Sequence, residues 1–386
     1  MSKKKHSSIK HLSIKPEEVV SKFAINGVLE EIKPMGKGHI NDTFVSRWNQ
    51  EGHTAYYTHQ RINSHVFRRP DKLMENVSRV TRHIAKKLEE KGIEDRSRRV
   101  LAVVPGRNKK PFIRDSKGCF WRSYYYIGDC HTKDTVSSPF EAELLGKSVG
   151  QFQKQLADFK GKRLFETIKN FHNMETRYAA FHKVIKKDGF NRVKDAKAEI
   201  DFLLENEERG GILIRSLRQG LIPERICHND TKLANILLDD KDGSALCVID
   251  LDTVMPGSSL FDLGDLVRTV SNTAAEDEKD LSKVSFDLVL FKSLLSGYLS
   301  EALDFLVPEE HKLLCESGRN LTQIMCLRFC TDYLEGDHYY RTSRPGHNLD
   351  RCRTQMALIH SMDRQWQELT AIALSAAERT AHELLV

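Results

Sequence analysis

The chain has 386 residues, 60 of them Lys or Arg and 54 Asp or Glu, for a formal net charge of +6. With 40% hydrophobic and 30% charged residues, it is unlike a disordered chain, and it is long enough to bury a core without disulfide or metal staples. No apolar run approaches the roughly 18 residues of a membrane span, and no apolar segment follows the positive N-terminus as in a secretory signal. Eight cysteines without a C-x-x-C pair fit a reducing compartment, so a cytoplasmic protein is expected. Five lysines fall in the first fifteen residues; residues 1–20 are expected to be a solvated, disordered basic tail, with neither nucleic acid nor membrane as partner.

The first third reads as strands broken by one helix. Val28–Lys33 and Thr43–Arg47 flank the turn Met35-Gly-Lys-Gly-His39, and Thr54–Ile62 is a further strand. Pro70 opens a helix with Leu73, Val77, Val80, Ile84 and Leu88 at three- and four-residue spacing, ending near Gly92. Strands are predicted at Val100–Val104, Pro111–Arg114 and Cys119–Ile127, the last two joined by a hairpin turn at Asp115–Gly118. Ser138, Pro139 and Glu141 then supply an N-cap, a first-turn proline and a capping-box acid for a helix to about Asp158. Helical periodicity dominates the remainder, apart from a strand-like patch between Glu224 and Asp250. The expected fold class is α+β: a small β-rich lobe over residues 21–130 that binds nucleotide, and a larger, mainly helical, catalytic and substrate-binding lobe over 131–386.

The chemistry sits in Ile226-Cys-His-Asn-Asp-Thr-Lys-Leu-Ala-Asn-Ile-Leu-Leu238 and Cys247-Val-Ile-Asp-Leu-Asp252. Phosphoryl transfer needs a carboxylate beside the attacking hydroxyl and oxygen ligands for magnesium, met in kinases by H-R-D-x-x-x-x-N and a later strand-end Asp. Asp230 precedes Asn235 by five residues, and Asp250 follows fifteen later, after an apolar strand. By role, Asp230 is the base, Asn235 and Asp250 are the Mg²⁺ ligands, His228 braces the loop, and Lys232 reaches the transferring phosphate of ATP.

The N-terminal signals are weaker. In Gly36-Lys-Gly-His-Ile-Asn41, Gly36 and Gly38 let backbone N–H groups approach phosphate, with Asn41 where a third glycine would stand; an ordinary hairpin turn reads equally. The strand Tyr56–Ile62 has no lysine, so Gln60 or Arg61 must serve or that phosphate contact is absent; Glu75 then belongs to a solvated helix face. Trp121–Ile127 is either a hinge offering adenine its backbone, with Tyr125 and Ile127 the contact positions, or an aromatic edge strand.

These strings resemble the aminoglycoside phosphotransferase and choline kinase-like superfamily, which has a protein-kinase-like two-lobed fold. Gly36–Asn41, His228–Asn235, Ile249–Gly257 and Asp332–Asp337 are most similar to its bacterial N-acetylhexosamine 1-kinase branch, over about Phe23 to Gln365. The resemblance implies ATP- and Mg²⁺-dependent phosphorylation of the anomeric hydroxyl of an amino sugar, GlcNAc or GalNAc. Separately, the protein is expected to be a monomer. The resemblance further implies His39 and Arg328 near sugar and phosphate, and Asp262 as the acid steadying the catalytic loop. It also implies that the missing lysine is no bar to activity. The chain departs from the pattern at Lys37, His59, Ala234 and much of 106–136.

Apart from the resemblance, Arg319–Gln355 holds six arginines, four acids and no lysine. A pocket for polycationic acceptors should be acid-rich, whereas arginine suits a neutral, oxygen-rich ligand or phosphate. Another sugar, choline or ethanolamine caged by Tyr339 and Tyr340, and homoserine stay open as acceptors, as does a catalytically silent nucleotide-binding protein.

Overall fold

The computed structural model describes residues 15–35 and 40–383. The chain divides into two compact units: the first runs to Cys130 and includes Phe165–Ile168, and the second takes the rest.

In the first unit, helix α1 (Pro16–Val20) precedes strands β1 (Val28–Pro34), β2 (Asp42–Gln50) and β3 (His53–Arg61), helix α2 (Pro70–Glu90), and strands β4 (Val103–Val104), β5 (Ile113–Arg114) and β6 (Phe120–Tyr125). The sheet order is β1-β2-β3-β6-β4, with β5 also paired to β6, and the pairings are antiparallel. Alternation along β2 turns Phe44, Ser46 and Trp48 into a core with Val19, Val20, Phe23, Tyr57 and Trp121. Within it Trp48 donates to Ser46 Oγ (2.8 Å), which lies 2.6 Å from His59 Nε2. Burial pushes His59 down to about 3, so the ring is neutral. The five apolar positions predicted on α2 are all buried.

Three expectations change here. The N-terminal tail does not extend to residue 20: Pro16 starts a helix, and Val19 and Val20 are buried. The physical reason is an apolar cluster, Val19, Val20, Phe23 and Ile25, that has a core to enter despite the lysines beside it. The strand expected at Val100–Val104 shrinks to Val103–Val104, after a helical turn at Arg96–Arg99. The aromatic strand is interior, since β6 pairs with β3, β4 and β5. Near its start, the Asp115–Gly118 turn closes as expected, with Gly118 at φ +81° and the Asp115 carboxylate accepting from Lys117 N, Cys119 N and Trp121 Nε1 (2.9 Å each).

The second unit contains α3 (Pro139–Leu156), α4 (Met174–Lys187), β7 (Arg225–Cys227), β8 (Ile236–Asp239), β9 (Ala245–Val248), β10 (Met255–Gly257), α5 (Ser259–Val270), α6 (Leu288–Ala302), α7 (Leu314–Leu334), α8 (His347–Arg364) and α9 (Trp366–Glu383). Ser138 caps α3 by accepting from Glu141 N, but the expected box is incomplete. Glu141 instead accepts from Ser137 N (2.8 Å) and Oγ (2.7 Å) and pairs with Lys133. Helices α3 and α6 meet backbone to backbone: a Cβ on Gly146 would lie 2.0 Å from Leu294 O, and one on Gly297 2.0 Å from Glu143 O. That approach seats Tyr298 beside Gln153, whose amide oxygen accepts the tyrosine hydroxyl at 2.7 Å. All eight cysteines are free thiols.

Candidate active site

Strand β7 ends at Cys227, and the chain turns sharply through His228-Asn229-Asp230. Asn229 adopts φ +63°, a left-handed conformation that asparagine tolerates better than most residues. Its side-chain amide donates to the carbonyls of Cys227, Thr253 and Met255, binding the turn to the β7–β10 pair. Asp262, in the first turn of α5 and fully buried, accepts from His228 N (3.0 Å), Asn229 N (2.6 Å) and Gln153 Nε2 (3.1 Å). Burial raises the Asp262 pKa, and these donors oppose the rise. The helix pair α3–α6 thus reaches the His228–Asp230 turn through Tyr298, Gln153 and Asp262.

His228 is fully buried; its Nδ1 accepts from Asp230 N (3.2 Å), so its Nε2 donates to Ile249 O (2.8 Å). The ring therefore ties the turn to the residue before Asp250. Asn235 donates to Asp230 O (2.7 Å) and Asp230 Oδ2 (3.0 Å), and its backbone carbonyl accepts from Ile249 N (2.9 Å). Asp250 stands just past β9 at φ +59°, a strained position for a residue other than glycine. Lys232 Nζ lies 3.2 Å from Asp230 Oδ2, with the two side chains 40% and 31% exposed. Burial pushes the Asp230 carboxyl up, but Lys232 and the hydrogen bonds from Lys232 and Asn235 outweigh it and leave its pKa lowered. The Lys232 pKa is raised, chiefly by Asp230, with Asp250 and Asp265 adding to it against burial.

The second unit therefore brings Asp230, Lys232, Asn235 and Asp250 into one electrostatic cluster. Its donors are hard oxygens, and the Asn235 amide oxygen accepts no hydrogen bond among the described residues. Among those residues no three His, Cys, Asp or Glu side chains are grouped to hold a metal by themselves. That donor set fits magnesium, which commonly takes one or two protein carboxylates and completes its shell with water and substrate phosphate.

Two participants lack any motif that would flag them in the sequence. His172, buried between Phe171 and Phe261, lies 2.9 Å from Asn229 O and supports the turn from below; burial pushes it down to about 3, so it is a neutral donor. Arg177, on α4, donates to Phe171 O and feels the charge of Arg328; burial and that like charge lower its pKa. Arg328 itself lies over the rings of Phe171 (4.9 Å), Tyr340 (5.3 Å) and Tyr339 (5.6 Å) and feels the charge of Asp230. Neither arginine has a carboxylate partner among the described residues. The Asp332 carboxylate, accepting from the backbone N–H groups of His338, Tyr339 and Tyr340, shapes this aromatic wall.

In the first unit, Gly36, Gly38 and His39, with Lys37, lie outside the described residues. Asn41 uses its side-chain oxygen internally, accepting from Asn63 N at 3.0 Å. Gln60 is also engaged inside the sheet: it donates to Thr43 Oγ1 (3.1 Å) and accepts from Arg122 Nε (2.8 Å), because the register aligns Thr43, Gln60 and Arg122 across three strands. Arg61 pairs with Asp42 (Nε–Oδ2 2.8 Å). Neither thus fills the lysine's place as a free group; the buried cation on that row is Arg122, 1% exposed and missed in the sequence because it belongs to a different strand. Tyr125 N donates to Ala102 O and Tyr126 N to Tyr56 O, so Tyr125 does not have the free N–H expected of an adenine contact. Ile127, just beyond, is buried. Glu75 is exposed and paired with Lys72 (2.7 Å), as a solvated helix face requires.

The model of the Phosphotransferase enzyme family matches residues 31–281, and the chain belongs to that family, of the aminoglycoside phosphotransferase and choline kinase-like superfamily. Its fold, a β-rich N-terminal sheet and a helical C-terminal part, is the kinase-like fold of that family. Among solved structures it resembles an aminoglycoside phosphotransferase from Alicyclobacillus acidocaldarius (TM-score 0.57, 12% identity, 98% of this chain and 100% of that one). It also resembles a microcompartment-associated aminopropanol kinase (TM-score 0.51, 12% identity, 91% and 96%). A Plasmodium vivax ethanolamine kinase is similar as well (TM-score 0.50, 14% identity, 89% and 85%). At these identities the likeness is one of fold. No described helix is long and apolar enough to cross a membrane.

Proposed function

We propose that the protein is an ATP-dependent kinase of a small oxygen-rich acceptor, with the anomeric hydroxyl of an N-acetylhexosamine as the group phosphorylated. The observation that carries the acceptor class is the pair Arg177 and Arg328. Arg328 feels the charge of Asp230, and Arg177 feels the like charge of Arg328, with no carboxylate partner for either among the described residues. A cationic acceptor would add a third positive charge to a partly desolvated site, whereas sugar hydroxyls or phosphate oxygens accept the arginines' directional hydrogen bonds. The Tyr339–Tyr340 wall that could cage a quaternary ammonium is already occupied by Arg328, which argues against choline.

In this reading Asp230 orients the acceptor hydroxyl and takes its proton, and Lys232 offers a positive charge to the transferring phosphate. Asn235 and Asp250 would hold Mg²⁺, which when bound neutralises charge on the nucleotide phosphates. The first unit would bind the nucleotide, with Arg122 as the buried cation of the strand row and Ile127 as the adenine contact.

A panel of GlcNAc, GalNAc, other hexoses, choline, ethanolamine and homoserine, read by ADP release, tests this. Turnover is expected with an N-acetylhexosamine, and ³¹P NMR should show a sugar 1-phosphate. A 6-phosphate product overturns the anomeric assignment, and turnover with choline alone overturns the acceptor class. Nucleotide binding without turnover of any acceptor favours a silent binding protein.

A further inference from the structure

A charged cavity lies wholly within the first unit. It has a volume of about 760 Å³ and is lined by Lys22, Arg107, Lys110, Arg114, Asp71 and Phe112, among others. None of these is a residue to which the preceding reading gives a role. Much of the lining falls in 107–114, within the stretch where the sequence departs from the pattern it otherwise resembles.

The charge balance of the cavity is one-sided. Asp71, its only acid, is spent on Arg69 through two hydrogen bonds of 3.0 and 2.8 Å. Lys22, Arg107, Lys110 and Arg114 have no acidic partner among the described residues. Segments 1–14 and 36–39 contain no Asp or Glu that could supply one.

The two arginines are held in place without being neutralised. Arg107 donates to the carbonyls of Ser21 (3.3 Å) and Ile25 (3.2 Å), and its own N–H bonds Lys22 O (2.9 Å). The Arg114 guanidinium rests 4.3 Å from the centroid of the Phe120 ring. The loop that carries Lys110 is a closed turn: Gly106 N donates to Lys110 O, Lys109 N to Gly106 O, and Lys110 N to Asn108 Oδ1. Fixed arginines with flexible lysines around them suit oxygen anions, the arginines by direction and the lysines as point charges.

We propose that this cavity is a second ligand site, which takes a small molecule carrying adjacent phosphate groups. Its volume falls within the range of small-molecule pockets, about 300–1,000 Å³. Four unneutralised cations require more than one anionic group, and Phe112 offers an apolar surface to the rest of the ligand.

The test is isothermal titration of the full-length protein with inorganic tripolyphosphate, at low ionic strength and without Mg²⁺ or nucleotide. The double variant Lys110→Ala/Arg114→Ala should weaken binding by about tenfold or more. Lys22→Glu, an exposed position with little bearing on folding, should weaken it in the same direction. A control of equal charge change on α2 and its C-cap, Lys86→Ala/Lys91→Ala, should leave binding within about twofold. In a Lys232→Ala background, which removes the phosphate contact of the catalytic cluster, the loss caused by Lys110→Ala/Arg114→Ala should persist, which separates this site from the catalytic cluster. Equal weakening by the α2 control reduces the effect to diffuse attraction and overturns the proposal. Disappearance of that loss in the Lys232→Ala background places the ligand at the catalytic cluster and overturns it too. Citrate binding as tightly as tripolyphosphate overturns the phosphate assignment.

Discussion

The turn at 228–235 and the strand row Thr43–Gln60–Arg122 each fix a cation beside polar partners, by opposite routes. In the turn, every functional side chain comes from one short segment and Asp250 just beyond it. Their mutual positions follow from local geometry, enforced by Asp262 and His228. In the row, the cation comes from β6, the amide from β3 and the hydroxyl from β2, so only the sheet register brings them together. A local cluster tolerates drift elsewhere in the chain. A register-built one depends on every pairing between its strands.

Replacing Asp230 separates the two regions most sharply. Asp230→Asn should lower kcat by about 10²–10⁴-fold while leaving the nucleotide Kd unchanged, measured by steady-state kinetics and titration with ATP. Unchanged turnover would remove Asp230 from that role. Next in size is the support beneath the turn. Asp262→Ala strips the acceptor from three buried N–H donors and should cost about 3 kcal/mol in urea unfolding, with Asp262→Asn costing less. If both variants unfold like the wild type, the turn does not depend on this acid.

The register-built row should respond in binding more than in rate. Arg122→Gln is expected to raise KM for ATP about tenfold with a smaller effect on kcat, while Arg122→Lys recovers part of it. Arg61→Gln, which breaks only the pairing with Asp42, should change KM little. An equal response from the two would mean that Arg122 acts through sheet stability alone.

The smallest effect is a displaced pH limb. The proposed base must be ionised to take a proton, and the Asp230 pKa lies below the ordinary value of 3.8. As pH falls, kcat/KM should therefore hold steady until below that value, and decline as the carboxylate takes up its proton. Lys232→Met removes the charge that keeps the pKa low, while burial still pushes it up, so the acid limb should move to higher pH. A limb that stays in place, or moves down, contradicts the coupling between these two side chains.

The sequence by itself determined the spacing of Asp230, Asn235 and Asp250, the amphipathic helix at Pro70–Glu90, the strands of the first hairpins and the family to which the chain belongs. All of these depend on residues close in sequence, whose periodicity or spacing survives without knowledge of the fold. Even there it misjudged details that answer to the core: Val19 and Val20 are drawn into it from an otherwise lysine-rich segment, and Glu141 turns back to Ser137 rather than completing the box. Only the tertiary structure decided that Gln60 is spent on Thr43 and Arg122, that Tyr125 gives its N–H to Ala102, that Arg328 fills the aromatic wall, and that Arg177 stands beside it. Those contacts join residues tens to more than a hundred positions apart. Strand register and helix packing set them, and backbone approach at Gly146 and Gly297 is part of that packing, so no local pattern in the chain can encode them.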